Sequence, residues 1–141
     1  MMKALIDTNV VVDAVLYRRP FYGAAVAIMQ KVHEGKLQGF ISASAATDIF
    51  YLLQKVMGQK QATDALESLL ASLDVLPVDA VDIRSALSWR WDDFEDAVQA
   101  RVALQNKMDV IVTRNVKDYG EIEHVKSITV LSPPDLIRSL R

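Results

Sequence analysis

The sequence predicts an α/β fold in which helices sandwich a mostly parallel sheet. Three observations carry that prediction. Short apolar runs alternate along the chain with longer segments of helical periodicity. Several of those runs are apolar on both faces, as in strands covered on either side. The 141 residues fit one domain with a single core, residues 1–141, and leave no room for a second.

Residues 2–6, MKALI, form a short first strand that ends at a polar triplet. From Asn9, residues Val10, Val11, Ala14 and Val15 fit one helix face, stopped by Arg18, Arg19 and Pro20. A second helix runs from Tyr22 to His33 with Gly35 as its stop, and GFIS at 39–42 is a second strand. Ser42 or Ser44 can cap a helix whose apolar stripe is Ile49, Leu52, Leu53 and Val56 and which ends near Gly58. Thr63 to Leu73 repeats leucines at helical spacing, and DVLPVD supplies a third strand and a turn. Asp79 can cap a helix through Ala86 and Leu87. Beyond WRWDD another helix spans Phe94 to Gln105, and DVIVT at 109–113 reads as a buried fourth strand. SITVL is the last strand, and Pro133 and Pro134 open a short terminal helix.

Composition excludes several chemistries. Without cysteine there is no disulfide, thiolate metal site or cysteine nucleophile. His33 and His124 lie far apart, neither with a partner at metal-ligand spacing, so zinc is not expected and both histidines are expected at the surface. No apolar segment reaches the ~18–20 residues of a membrane helix, and no leader pattern opens the chain. A soluble cytoplasmic protein is the expectation. With a formal net charge of −2, nucleic acid would have to be held locally, by metal ions and a few arginines.

In open parallel sheets the functional crevice lies beyond the carboxyl ends of the strands. Asp7, Thr8 and Asn9 follow the first strand; Thr113, Arg114, Asn115 and Asp118 follow the fourth. Leading into that strand is a helix with Asp92, Asp93 and Asp96, whose i,i+3 and i,i+4 spacings put like charges on one face. A divalent cation removes that conflict. Clustered aspartates without histidine or cysteine suit Mg²⁺ or Mn²⁺. Asp48, in a helix that begins with small residues, is a further acid. Each has a plainer role available: Asp7 as a helix cap, Asp92 and Asp93 as first-turn acids, Asp48 as a solvated residue, Asn115 and Asp118 as turn formers. Trp89 and Trp91 suit a core or an interface better than base stacking.

Four segments, LIDTNVVVD, ISASAATDIFYLL, DFEDAVQARVA and DVIVTRNVKDY, stand in order over nearly the whole chain. Together they resemble the PIN-domain ribonucleases, particularly the small prokaryotic members that include VapC-like toxins of toxin-antitoxin modules. The resemblance implies a three-layer α/β/α sandwich with a parallel sheet of about five strands, and Mg²⁺- or Mn²⁺-dependent endonucleolytic cleavage of RNA. It assigns Asp7, Asp96 and Asp93 to the metal and Asp48 to the second acidic position. In the fourth position Asn115 stands where some relatives carry an acid, with Asp118 as the nearby carboxylate. Asp48, Asp93 or Asp118 would accept a proton or hold metal-bound water, and Thr8, Asn9 and Asn115 would support the acids. Arg114 and Lys117, with Arg18 and Arg19, are the implied phosphate contacts. The implied partners are RNA, a small antitoxin protein and a second copy of the chain in a homodimer, joined through the Trp89–Trp91 region or the helices at 44–73. Two other readings remain: a catalytically weak PIN-like module that binds RNA or protein, and a phospho-acceptor receiver domain. The latter would need paired acids after the first strand, where only Asp7 stands.

Overall fold

The structure is a computed structural model that describes residues 1–119 and 127–141; His124 lies outside the described residues. Five strands form one sheet in the order β3-β2-β1-β4-β5, every neighbouring pair parallel. They are β1 (Lys3–Ile6), β2 (Gln38–Ser42), β3 (Asp74–Leu76), β4 (Val110–Val112) and β5 (Thr129–Leu131). The helices are α1 (Thr8–Leu16), α2 (Tyr22–His33), α3 (Ala43–Leu70), α4 (Ala80–Ser88), α5 (Phe94–Gln105) and α6 (Pro133–Ser139), and Val116–Tyr119 form a 3-10 turn.

Side chains of a strand alternate between its faces, and here that alternation builds two cores. Ala4, Ile6, Ile41, Val110 and Val112 pack with residues of α1, α2, α3 and α6. Leu5 and Ile111 point the other way, to Ala86 of α4 and to Ala97, Ala100 and Val102 of α5. This double coverage gives the three-layer sandwich and explains why β4 and residues 4–6 of β1 are apolar at every position.

The span of α3 holds the two predicted helices, which meet at Gly58, where the first is expected to end and where a φ of 83° and ψ of 167° break the helix. Val56, assigned by its spacing to the apolar stripe, lies in the last turn before the break and is exposed. Among the described residues, no helix is long and apolar enough to cross a membrane.

The register pairs Ile6 with Val112, so β1 and β4 end level. From β1 the sheet extends through β2 to β3 on one side and through β4 to β5 on the other. The reversal falls between β1 and β4, where a crevice opens at their carboxyl ends.

Candidate active site

Asp7 is the first residue past β1, and its extended backbone, with φ −66° and ψ 150°, makes it the N-cap of α1. Its N–H donates to Val112 O at 3.0 Å, which anchors it to β4. One carboxylate oxygen accepts from Thr8 N at 2.8 Å, the other from Thr113 Oγ1 at 2.8 Å. Thr113 Oγ1 in turn accepts from Asn115 N at 3.0 Å. The cap and the site are therefore the same residue, with the two strand ends tied through one carboxylate.

Across the crevice, α5 begins at its N-cap Asp93, whose Oδ1 accepts from Asp96 N at 3.1 Å. Asp96 is buried and accepts a hydrogen bond from Tyr119 Oη at 3.2 Å. Tyr119 is held in turn by an edge contact with Trp91, which packs beside Trp89. Both tryptophans lie against the α5 side of the sheet. Asp118 comes from the 3-10 turn, and carboxylate oxygens of Asp93, Asp96 and Asp118 lie within 4.8 Å of one another.

Asp7, Asp93 and Asp96 line a cavity of about 250 Å³ together with Asp48 and Glu95. Thr8, Asn9 and Asn115 complete its polar wall. Crowded carboxylates resist ionisation together. Burial, and then the charges of Asp7 and Asp93, push the Asp96 carboxyl up to about 7, against the lowering effect of the Tyr119 hydrogen bond. Burial likewise raises the Asp7 carboxyl, although bonds from Thr113 and Thr8 draw it back. Glu95 is also pushed up to about 7, by partial desolvation and then by the carboxyl of Asp48, with which it shares a hydrogen bond. The residue is exposed overall, so its pairing with Asp48 is the more telling feature. The Tyr119 phenol is held well above its ordinary value by burial and by Asp7 and Asp96, so it remains a donor.

The donor set suits a hard divalent cation. It consists of oxygen atoms, its acids are clustered beyond what their charges favour, and the buried hydroxyl of Thr8 has no partner among the described residues.

Not every expected residue faces the cavity. Arg114 Nε lies 2.8 Å from the buried carboxylate of Asp13, a close charge contact without an aligned hydrogen bond, and its guanidinium stacks 4.0 Å from the Phe21 ring. Arg18 Nε donates to the same carboxylate at 2.8 Å, and its Nη2 donates to Asn9 Oδ1 at 3.4 Å. Both arginines pair with Asp13 of α1, and neither lines the cavity. Lys117 and Arg19 are exposed. Asp92 is exposed as well, and His33 lies at the surface as expected.

Three contributors escape the sequence. Asp13 reads as one more residue of a helix, although a lone acid among valines is a signal of an ion pair. Glu95 lies inside the DFEDA segment, but only the placement of α3 brings it to Asp48. Tyr119 sits beyond the acids, in a turn with no periodicity.

Comparison with known proteins agrees with this architecture. The PIN domain family model matches residues 3–117. No curated protein matches the chain in sequence. Among solved structures, VapBC2 from Rickettsia felis, bound to a promoter DNA fragment, is similar with a TM-score of 0.67 and 18% identity, covering 93% of this chain and 98% of that one. A toxin–antitoxin complex from Klebsiella pneumoniae is similar with a TM-score of 0.64 and 22% identity, over 92% and 97% of the two chains. VapC20 from Mycobacterium tuberculosis, described as a sarcin-ricin loop cleaving toxin, gives 0.62 and 19%, over 77% and 86%. The chain belongs to the PIN-domain family.

Proposed function

We propose that this PIN-domain protein is a divalent-cation-dependent endoribonuclease of the toxin type, a single catalytic domain acting on RNA in the cytoplasm. The observation that carries the reading is the convergence of Asp7, Asp93, Asp96 and Asp118 from three separate segments on the carboxyl edge of β1 and β4. Those four acids would hold Mg²⁺ or Mn²⁺, with Asp118 supplying the carboxylate that Asn115 lacks. When bound, the cation offsets charge on the scissile phosphate and lowers the pKa of water.

The chain's own groups divide the remaining work. Thr113 and Thr8 fix the Asp7 carboxylate, and Tyr119 fixes Asp96. The Asp48–Glu95 pair, with one carboxyl near 7, can take a proton from the attacking water at neutral pH. The water oxygen bonds to phosphorus, the bond from phosphorus to the leaving oxygen breaks, and that oxygen takes up a proton. Exposed Lys117 and Arg19 are suited to the flanking phosphates. The toxin–antitoxin complexes among the similar structures support a small antitoxin protein as partner. Exposed Tyr51, Val56 and Leu70 on α3 offer apolar surface for a homodimer.

Cleavage of structured RNA is expected with Mg²⁺ or Mn²⁺ and is expected to stop with chelator. Asp7→Asn and Asp96→Asn should each abolish it in a folded protein. Cleavage that survives both substitutions overturns the assignment. RNA binding without cleavage in any divalent metal would favour the alternative of a catalytically weak binding module.

A further inference from the structure

Asn9 is the second residue of α1 and lies in the cavity wall with Asp7 and Thr8. Its side chain makes no hydrogen bond to Asp7, whose two carboxylate oxygens accept from Thr8 N and Thr113 Oγ1. Asn9 Oδ1 accepts instead from Arg18 Nη2 at 3.4 Å, and Nδ2 has no hydrogen-bond partner among the described residues. The arginine reaches that amide because α1 ends in a tight reversal. Tyr17 takes a left-handed backbone, with φ 52° and ψ 45°, and Arg18 N then donates to Asp13 O at 3.1 Å. The Arg18 side chain is thereby laid back along the helix, where its Nε donates to Asp13 Oδ1 at 2.8 Å. Asp13 stands one turn from Asn9 on α1 and is 1% exposed, so the guanidinium is anchored on a buried carboxylate.

A guanidinium carries donors and no acceptor. It therefore decides which end of the amide it meets: the Asn9 oxygen turns to Arg18, and the Nδ2 donor is left for the cavity. The same wall holds Asp7, Asp48, Asp93, Glu95 and Asp96, acids that suit a cation and repel an oxyanion. An amide N–H does not ligate a hard cation, and it is a neutral donor of the kind that meets phosphate oxygens. We infer that Asn9 contacts the substrate phosphate, its Nδ2 donating to an oxygen of the RNA backbone in the crevice, and that Arg18, held by Asp13, is the positioning residue that turns the amide. The inference rests on the reading of the crevice as a ribonuclease site and names one of its substrate contacts.

The experiment is a double-substitution cycle on the full chain, with Asn9→Ala, Arg18→Met and the two combined. Total cellular RNA is the probe, and the rate at which the cleaved species disappear is read in Mn²⁺ with protein in excess. Mn²⁺ binding by calorimetry and urea unfolding in chelator are measured alongside. Asn9→Ala is expected to slow cleavage about 10- to 100-fold, the size of a hydrogen bond to a charged group, with Mn²⁺ affinity unchanged. Arg18→Met should slow it as well, and the combined variant should be no slower than Asn9→Ala alone, because the arginine acts through the amide. An arginine that attracted RNA by its own charge, or merely supported the fold, would give losses that multiply. Multiplying losses, or cleavage by Asn9→Ala at the original rate, overturn the inference and leave the ribonuclease reading standing. A fall in Mn²⁺ affinity that accounts for the slower cleavage of Asn9→Ala places the amide on the acids and also overturns it. Absence of cleavage by the unsubstituted chain overturns the ribonuclease reading and this inference with it. If Asn9→Ala does not fold, Asn9→Asp takes its place, since it keeps Arg18 paired and lacks the donor; cleavage at the original rate in that variant overturns the inference.

Discussion

Asp96 must be charged for its proposed work, yet its surroundings favour the proton: burial, then Asp7 and Asp93, push its carboxyl up to about 7 from the ordinary 3.8. An acid whose folded pKa is raised stabilises the fold while it keeps its proton. That contribution is fully present below the unfolded value and is lost as pH rises through the folded one. For Asp96 the window runs from about pH 4 to about pH 7. Asparagine keeps an oxygen for the Tyr119 hydroxyl and carries no charge at any pH. In chelator, Asp96→Asn should therefore be more stable than the unsubstituted chain at pH 8, by on the order of 1 kcal/mol after allowance for solvent screening, and equal to it near pH 4. Urea unfolding at the two pH values measures the difference, and a variant less stable at pH 8 contradicts the account. At this scale the site is legible in part. Asp7, Asp93, Asp96 and Asp118 stand out because each lies past a strand or opens a helix. Glu95 does not, because neighbouring residues of a helix point about 100° apart and its approach to Asp48 depends on the packing of α3.

Among the elements, α2, α5 and the start of α6 match their predicted bounds, since Pro, Gly and capping Asp mark helix ends chemically. The 3-10 turn at Val116–Tyr119 is not legible, because four residues are too few to show a period. Yet it delivers both Asp118 and Tyr119 to the site. Gly58 is a clearer case of local chemistry setting an element. Its backbone lies in a region that side chains strongly disfavour, and a Cβ there would meet nothing within 4 Å, so conformation and not space restricts the position. Gly58→Ala should cost about 1–3 kcal/mol in thermal or urea unfolding. Asp48 lies well before the break, so cleavage per folded molecule should be unchanged. A variant as stable as the original would show that the break in α3 is not needed by the fold.

Considered whole, the molecule would, in the proposed function, present an acidic crevice to an acidic polymer. The three-layer class is legible because the strands are apolar on both faces and alternate with helices. The full strand order is not, since it depends on which edges the crossovers choose; only the pairing of the first and fourth strands is suggested, by acids following both. That pairing creates the electrostatic problem. The chain carries a net charge of −2, with carboxylates concentrated where the phosphate is proposed to sit. Without a cation these acids should repel RNA, most strongly at low ionic strength, where charges are poorly screened. The doubly substituted Asp7→Asn, Asp96→Asn protein removes two of those charges. In chelator at low salt it should bind RNA more tightly than the unsubstituted chain, on the order of tenfold, while cutting none of it. The difference should shrink as salt is added. Addition of Mg²⁺ should tighten binding by the unsubstituted chain and change the double variant little. Fluorescence anisotropy with a labelled RNA across a salt series reads all three effects. Equal affinity of the two proteins in chelator at every salt concentration would mean that the phosphate backbone does not approach these acids, and the crevice between β1 and β4 would then not be where RNA is held.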